Sequence, residues 1–198
     1  MKVTLFNKNP KVYSCNAYLI CGNWNALDDV NTLIDTGTDA FIYEELQNIS
    51  TGLGKRRIEQ IILTHEHFDH SGGLDFFIKQ YNPTVIALSQ SLAITQKAYD
   101  GQQVKVGDRD AQIFLTPGHS SDSICIYVPQ EKTLFSGDTP LFIKSSGGTY
   151  TRDYVHALEH LLKLDIKTIY SGHDYPIIGN AQGILANTYQ NVCNSSII

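Results

Sequence analysis

Apolar positions along the chain switch between a period of two and a period of three to four, and the switch recurs in both halves. Short apolar runs at Val3–Phe6, Val12–Ile20, Asn31–Ile34 and Ile58–Leu63 predict strands, with a turn at Asn9-Pro10 between the first two. Phe41, Ile42, Leu46 and Ile49 fall at helical spacing between about Ala40 and Ile49. Leu74, Phe77, Ile78 and Tyr81 follow i, i+3, i+4, i+7 and predict a helix directly after Ser71-Gly72-Gly73. Thr84–Leu88 reads as another strand, and Ser89 is placed to cap the next helix.

The second half repeats the style. Ala111–Leu115 is a predicted strand, and Ser123–Val128 with Thr133–Phe135 predict a hairpin around Pro129-Gln130. Tyr154, Leu158, Leu161 and Leu162 form a helical stripe. Thr168–Tyr170 is a strand, and a last helix is expected from about Asn180 to Cys193. Strands then helix, twice, with mixed connections, suit an α+β fold: an αββα sandwich of two face-to-face sheets with helices outside. The length, 198 residues, suits one domain with two similarly patterned halves, about 1–105 and 106–198.

Composition narrows the function. The formal net charge of −5 argues against a nucleic-acid binder, which carries a basic face. No apolar run reaches the length of a membrane span, and Asn7 to Lys11 interrupt the N-terminal apolar stretch too early for a signal peptide. A cytoplasmic protein without membrane or nucleic-acid partners is expected. Cys15, Cys21, Cys125 and Cys193 form no CxxC pair, so they read as small apolar residues or free thiols.

The chemistry concentrates at residues 65–70, His-Glu-His-Phe-Asp-His. Four ligand-capable side chains, His65, His67, Asp69 and His70, follow an apolar strand and precede a glycine-rich helix start. In extended backbone His65, His67 and Asp69 share one side, and a turn then brings His70 round, so the segment is able to feed two neighbouring metals. Three later segments repeat a pattern of strand, small residues, ligand: Pro117-Gly118-His119, Ser136-Gly137-Asp138 and Ser171-Gly172-His173. A glycine before each ligand permits close backbone approach.

These motifs, with the early Leu33-Ile34-Asp35-Thr36-Gly37, resemble the metallo-β-lactamase superfamily over nearly the whole chain, from about Val12 to Pro176. The resemblance implies that His65, His67 and His119 bind a first metal, Asp69, His70 and His173 a second, and Asp138 bridges them. Zinc suits such a set, and iron and manganese are also accepted in the superfamily. Asp35 then sits behind the site, either orienting a ligand or capping its own turn. Two metals sharing a water lower its pKa to near neutral, so the expected reaction is attack of a metal-bridging hydroxide on a carbonyl, with Asp69 holding it in line.

Among the branches of that superfamily, the chain is most similar to the short glyoxalase II-like (hydroxyacylglutathione hydrolase-like) enzymes, through Gly137-Asp138-Thr139 and Arg152-Asp153. The C-terminal helical domain that contacts glutathione in full-length members is not expected here. The implied substrate is a small activated acyl compound, a thioester first. A lactonase is the alternative, weakened by Leu141 where a tyrosine is expected. Others are a mononuclear-iron sulfur dioxygenase using His65, His119 and Asp138, and a non-catalytic binding protein. Lys144, Tyr150 and Arg152, in or just beyond the Ser/Gly-rich loop after Asp138, are candidate substrate contacts that suit a small or medium anionic acyl substrate, with plain surface charge the other reading of the two cations. Trp24 is a candidate for the site mouth. His156 and His160 have i, i+4 spacing but lie opposite the apolar stripe, so they are expected in solvent.

Overall fold

The computed structural model describes residues 1–6, 11–88 and 92–198. The Asn9-Pro10 turn and the Ser89 cap lie outside them. The first sheet takes strands β1 (Lys2–Leu5), β2 (Tyr18–Cys21), β3 (Thr32–Ile34), β4 (Gln60–Ile62), β5 (Thr84–Ala87) and β6 (Gln96–Lys97), side by side in that order. β1, β2 and β3 pair antiparallel, and β3 to β6 pair parallel. Helices α1 (Ile42–Gln47), α2 (Phe68–Ser71) and α3 (Leu74–Tyr81) belong to this half.

The second sheet is built from β7 (Gln103–Val106), β8 (Arg109–Leu115), β9 (Ile124–Val128) and β10 (Thr133–Gly137). After a short pair strand β11 (Thr149–Tyr150) and helix α4 (Arg152–Leu162), it is completed by β12 (Thr168–Ser171) and β13 (Ile177–Ile178). The order is β13-β12-β10-β9-β8-β7, with β10 and β12 parallel. Helix α5 (Ala181–Cys193) and strand β14 (Ser196–Ile197), which pairs with β11, close the chain.

The period of two decides which layer each side chain joins. Leu19, Leu33, Ile61 and Val85 point from the first sheet to Ile42, Leu46 and Phe77 of α1 and α3. Their neighbours Ile20, Ile34, Ile62 and Ile86 pack instead against Ile113, Ile126 and Phe135 of the second sheet. Tyr127, Leu134 and Ile169 of that sheet meet Leu158, Leu161 and Leu185 of α4 and α5. Three apolar layers between four layers of structure make the αββα sandwich. The four cysteines are free thiols, and no helix among the described residues is long and apolar enough to cross a membrane.

Three expectations change. Beyond Thr84–Leu88 the described chain runs into the short strand β6 (Gln96–Lys97) and β7, where the sequence predicts a helix capped by Ser89. The strand predicted over Val12–Ile20 is regular only from Tyr18. Before it, the Cys15 amide donates to the Asp69 carbonyl, and the Asn16 side chain donates to the carbonyls of Ser171 and Asp174 at 3.0 and 2.9 Å. Hydrogen bonds that a strand would give its neighbour go to the ligand loops instead. The His65–His70 motif is not extended as far as Asp69. The backbone leaves the extended region after His67 (φ −58°, ψ 145°), and Asp69 and His70 stand in the first turn of α2.

Candidate metal centre

Four of the seven ligand candidates follow the C-terminal end of a strand, His65 after β4, His119 after β8, Asp138 after β10 and His173 after β12; His67 leads into α2, which carries Asp69 and His70, and Asp35, behind the site, follows β3. The switch from extended chain to helical turn at Phe68 sorts the motif into two groups. His65, His67 and His119 form one, and Asp69, His70, Asp138 and His173 form the other, with the candidate atoms of each group within 4.8 Å of one another. In the first, His67 Nδ1 lies 3.0 Å from both His65 Nε2 and His119 Nε2. In the second, His173 Nε2 lies 3.0 Å from Asp69 Oδ2 and 3.2 Å from Asp138 Oδ2. Asp138 also faces His70 Nε2 at 3.3 Å through its other oxygen and His119 Nε2 at 3.6 Å, so one carboxylate touches both groups.

Asp35 fixes which nitrogens are free. It is buried, and its φ of +57° is a left-handed conformation that aspartate tolerates better than most residues. Its carboxylate accepts from the Thr64 amide and hydroxyl, each at 2.8 Å, and from His70 Nδ1 at 2.8 Å. A carboxylate only accepts, so Nδ1 carries the His70 proton and Nε2 is turned toward the site. With its own proton given to Asp35, the Thr64 hydroxyl accepts from His65 Nδ1 at 3.2 Å, which leaves His65 Nε2 bare. One chain of hydrogen bonds, His65–Thr64–Asp35–His70, thus orients a ligand of each group.

The glycines preceding the ligands are needed for space. A Cβ on Gly172 would stand 2.1 Å from Asp138 Oδ1, one on Gly137 (φ +50°) 2.4 Å from Thr64 Oγ1, and one on Gly118 2.6 Å from the Tyr154 ring.

The residues present fit divalent metal. His70 Nε2 is buried and makes no hydrogen bond, an expensive arrangement for a polar atom with nothing to bind. Three imidazole nitrogens crowded at 3.0 Å approach the spacing of about 3.3 Å between nitrogens on a tetrahedral zinc. Electrostatics point the same way. Burial disfavours charge on His70, but Asp35 and Asp138 outweigh it and raise its pKa far above the ordinary histidine value. Burial likewise pushes Asp138 up, yet His173 and His70 pull it well below the carboxylate range. Burial lowers His65 to about 4 and also lowers His119.

These shifts give the metal-free protein a defined pH dependence. A raised His70 gives stability that is full below about 6.5, its unfolded value, and is lost as pH rises. Depressed His65 and His119 do the reverse: the unfolded chain takes their protons first, so stability falls as pH drops from about 6.5 toward 4. Thermal denaturation of EDTA-treated protein should therefore peak near pH 6.5. Added zinc should remove the alkaline decline, because a cation takes over the role of the His70 proton. Stability rising steadily from pH 6.5 to 9 without metal would contradict these assignments.

Sequence reasoning missed Tyr13 and Asn16. Tyr13 stacks on His173 with ring centroids 4.9 Å apart, and its hydroxyl lies 3.2 Å from His173 Nε2. Beside His119, Asp138 and His173 opens a cavity of about 540 Å³, which Phe142 also lines. Lys144, Tyr150 and Arg152 do not line it. Lys144 is exposed, its ammonium 4.8 Å from the Phe142 ring centroid, on a separate groove. Tyr150 is held in the β11–β14 pair and against Tyr154, and Arg152 opens α4 with its amide on the Ile198 carbonyl. Trp24 is 91% exposed and outside the cavity, and His156 and His160 are exposed on α4.

Fold and ligand constellation together define a family, and the chain belongs to it: the family model described as the metallo-beta-lactamase superfamily matches residues 10–99 and 94–173. The chain is 33% identical over 156 residues to a hydroxyacylglutathione hydrolase of Chromohalobacter salexigens, covering 75% of this chain and 59% of that protein. It is 30% identical over 154 residues to an atrochrysone carboxyl ACP thioesterase of Aspergillus fumigatus, covering 76% and 49%. It thus spans about half to three fifths of these relatives. The crystal structure of ETHE1 from Myxococcus xanthus shares the fold, with a TM-score of 0.69 at 21% identity over 97% of this chain and 83% of that one.

Proposed function

We propose that this chain is a two-metal hydrolase of small activated acyl compounds and that its substrate is a thioester. The observation that carries the reading is the convergence of seven candidate ligand side chains in two groups joined by Asp138, with His70 Nε2 buried and facing Asp138 at 3.3 Å without a hydrogen bond. His65, His67 and His119 would hold one divalent cation and Asp69, His70 and His173 the other, with Asp138 between them; zinc suits these donors. When bound, such a pair supplies an activated water and polarises an acyl carbonyl. Over the reaction, water oxygen joins the acyl carbon, the carbon–sulfur bond breaks, and a carboxylic acid and a thiol leave.

The chain's own residues orient this chemistry. Asp69, partly exposed and 3.0 Å from His173, is placed to align the attacking water and receive its proton. Asp35 and Thr64 hold His70 and His65 to their tautomers. A cysteine nucleophile is not offered: Cys15 is buried beside His70, and burial pushes its thiol up to about 11.

The thioester is supported by the names of the two relatives, an acylglutathione hydrolase and an acyl carrier protein thioesterase. The test is turnover of thioesters, lactones, β-lactams and persulfides by metal-loaded protein. Thioesters should lead by about tenfold or more in kcat/KM, a difference of roughly 1.4 kcal/mol in transition-state binding. Faster hydrolysis of lactones or β-lactams would remove the thioester assignment. Oxygen uptake with a persulfide and a single iron would replace the hydrolase.

A further inference from the structure

We propose that the acyl group this site accepts is an apolar alkyl chain, seated in the cavity between the metal ligands and helix α5. The proposal rests on the hydrolase reading above and names the substrate class of that same site. The cavity begins at His119, Asp138 and His173, and its volume of about 540 Å³ is ample for a small-molecule substrate. Beyond the ligands its walls are mainly apolar, with Ser136, Thr139, Ser171 and Asp174 as the polar side chains. Leu141 and Ile169 are buried, Ile177 and Ile184 are half-buried, and Phe142 and Tyr175 stand 54% and 92% exposed. These six come from the loop after β10, from β12, from the loop into β13 and β13 itself, and from α5. The fold therefore gathers sequence-distant apolar residues beside the ligands and leaves them open on one side.

Charge at the far end of the cavity disfavours an anionic acyl group. Among the described residues no lysine or arginine lines the cavity, and the one charged side chain beyond the ligands is Asp174. Away from the metal-binding end an anionic acyl group would meet the Asp174 carboxylate and no cation among the described residues, whereas an alkyl chain loses only its contact with water. The nearby cation, Lys144, lies on the other groove, over the Phe142 ring.

The test has two arms on the full chain. In the first, metal-loaded protein is given thioesters of one thiol with acyl groups from acetyl to octanoyl. The expected kcat/KM rises about two- to fourfold per methylene, the gain from moving each CH₂ out of water. Ile184→Asp should flatten the series, and Phe142→Ala should lower its slope. Both are read as the octanoyl-to-acetyl ratio, which does not depend on the fraction of protein that folds. In the second arm, 1-octanol is titrated into EDTA-treated protein and followed through methyl resonances. Saturable shifts are expected at Leu141, Ile177 and Ile184. A flat or falling series with the unaltered chain overturns the proposal whatever octanol does. If no thioester turns over at all, the hydrolase reading falls and the methyl shifts decide: saturation at Ile184 supports the alkyl pocket, and no shift overturns it.

Discussion

Replacing Asp138 by alanine is expected to lower thioester turnover by about 10³-fold or more and to leave the chain unable to hold two metals together. The size of the effect comes from position. Its two oxygens lie 3.2 to 3.6 Å from His173, His70 and His119, so one side chain joins both ligand groups. Removal also leaves His70 buried without one of the two carboxylates that offset its charge. Kinetics and metal content measured on the same preparation check this. Activity within tenfold of the unaltered chain, with metal content unchanged, would remove Asp138 from the centre of the site.

Gly172→Ala should do comparable damage with a single methyl group. The added carbon would stand 2.1 Å from Asp138 Oδ1 and 2.7 Å from His70 Cε1, where nothing is free to move without displacing a proposed ligand. Overpacking of this kind costs about 1–3 kcal/mol of stability. Moving catalytic groups by an ångström costs on the order of 10²-fold in rate. The thermal midpoint and kcat/KM should therefore fall together. A variant with unaltered turnover would show that the His173 loop and Asp138 are not packed as described.

Much of this arrangement was legible in the sequence because each part has a local signature. The layers come from alternation: Leu33 and Ile34, adjacent in one strand, go to opposite faces of the first sheet as the period of two requires. The ligand segments were readable because a glycine precedes His119, Asp138 and His173, and each of those glycines proves to have no room for a side chain. What was not legible depends on partners distant in sequence. Tyr13 and Asn16 sit in an alternating stretch that reads as plain strand, and only the folded chain brings the loop around His173 against them. The left-handed backbone of Asp35 could not be read from Asp-Thr-Gly alone. Lys144 and Arg152 come soon after Asp138 in sequence, yet neither lines the cavity beside it. The wall there comes instead from Leu141, Phe142 and residues 27 or more positions beyond them. The candidate ligands Asp69 and His70 stand in the helical turn Phe68–Ser71, which separates Asp69 from His65 and His67, residues that an extended strand would have kept on one face.

The central claim is that seven side chains make one two-metal centre. Its most direct measurement is metal bound per chain, by mass spectrometry of the protein after loading with zinc and removal of free ion. The expected result is close to two zinc ions per chain. One ion or fewer per chain, at a level that His70→Ala and His119→Ala leave unchanged, would contradict it.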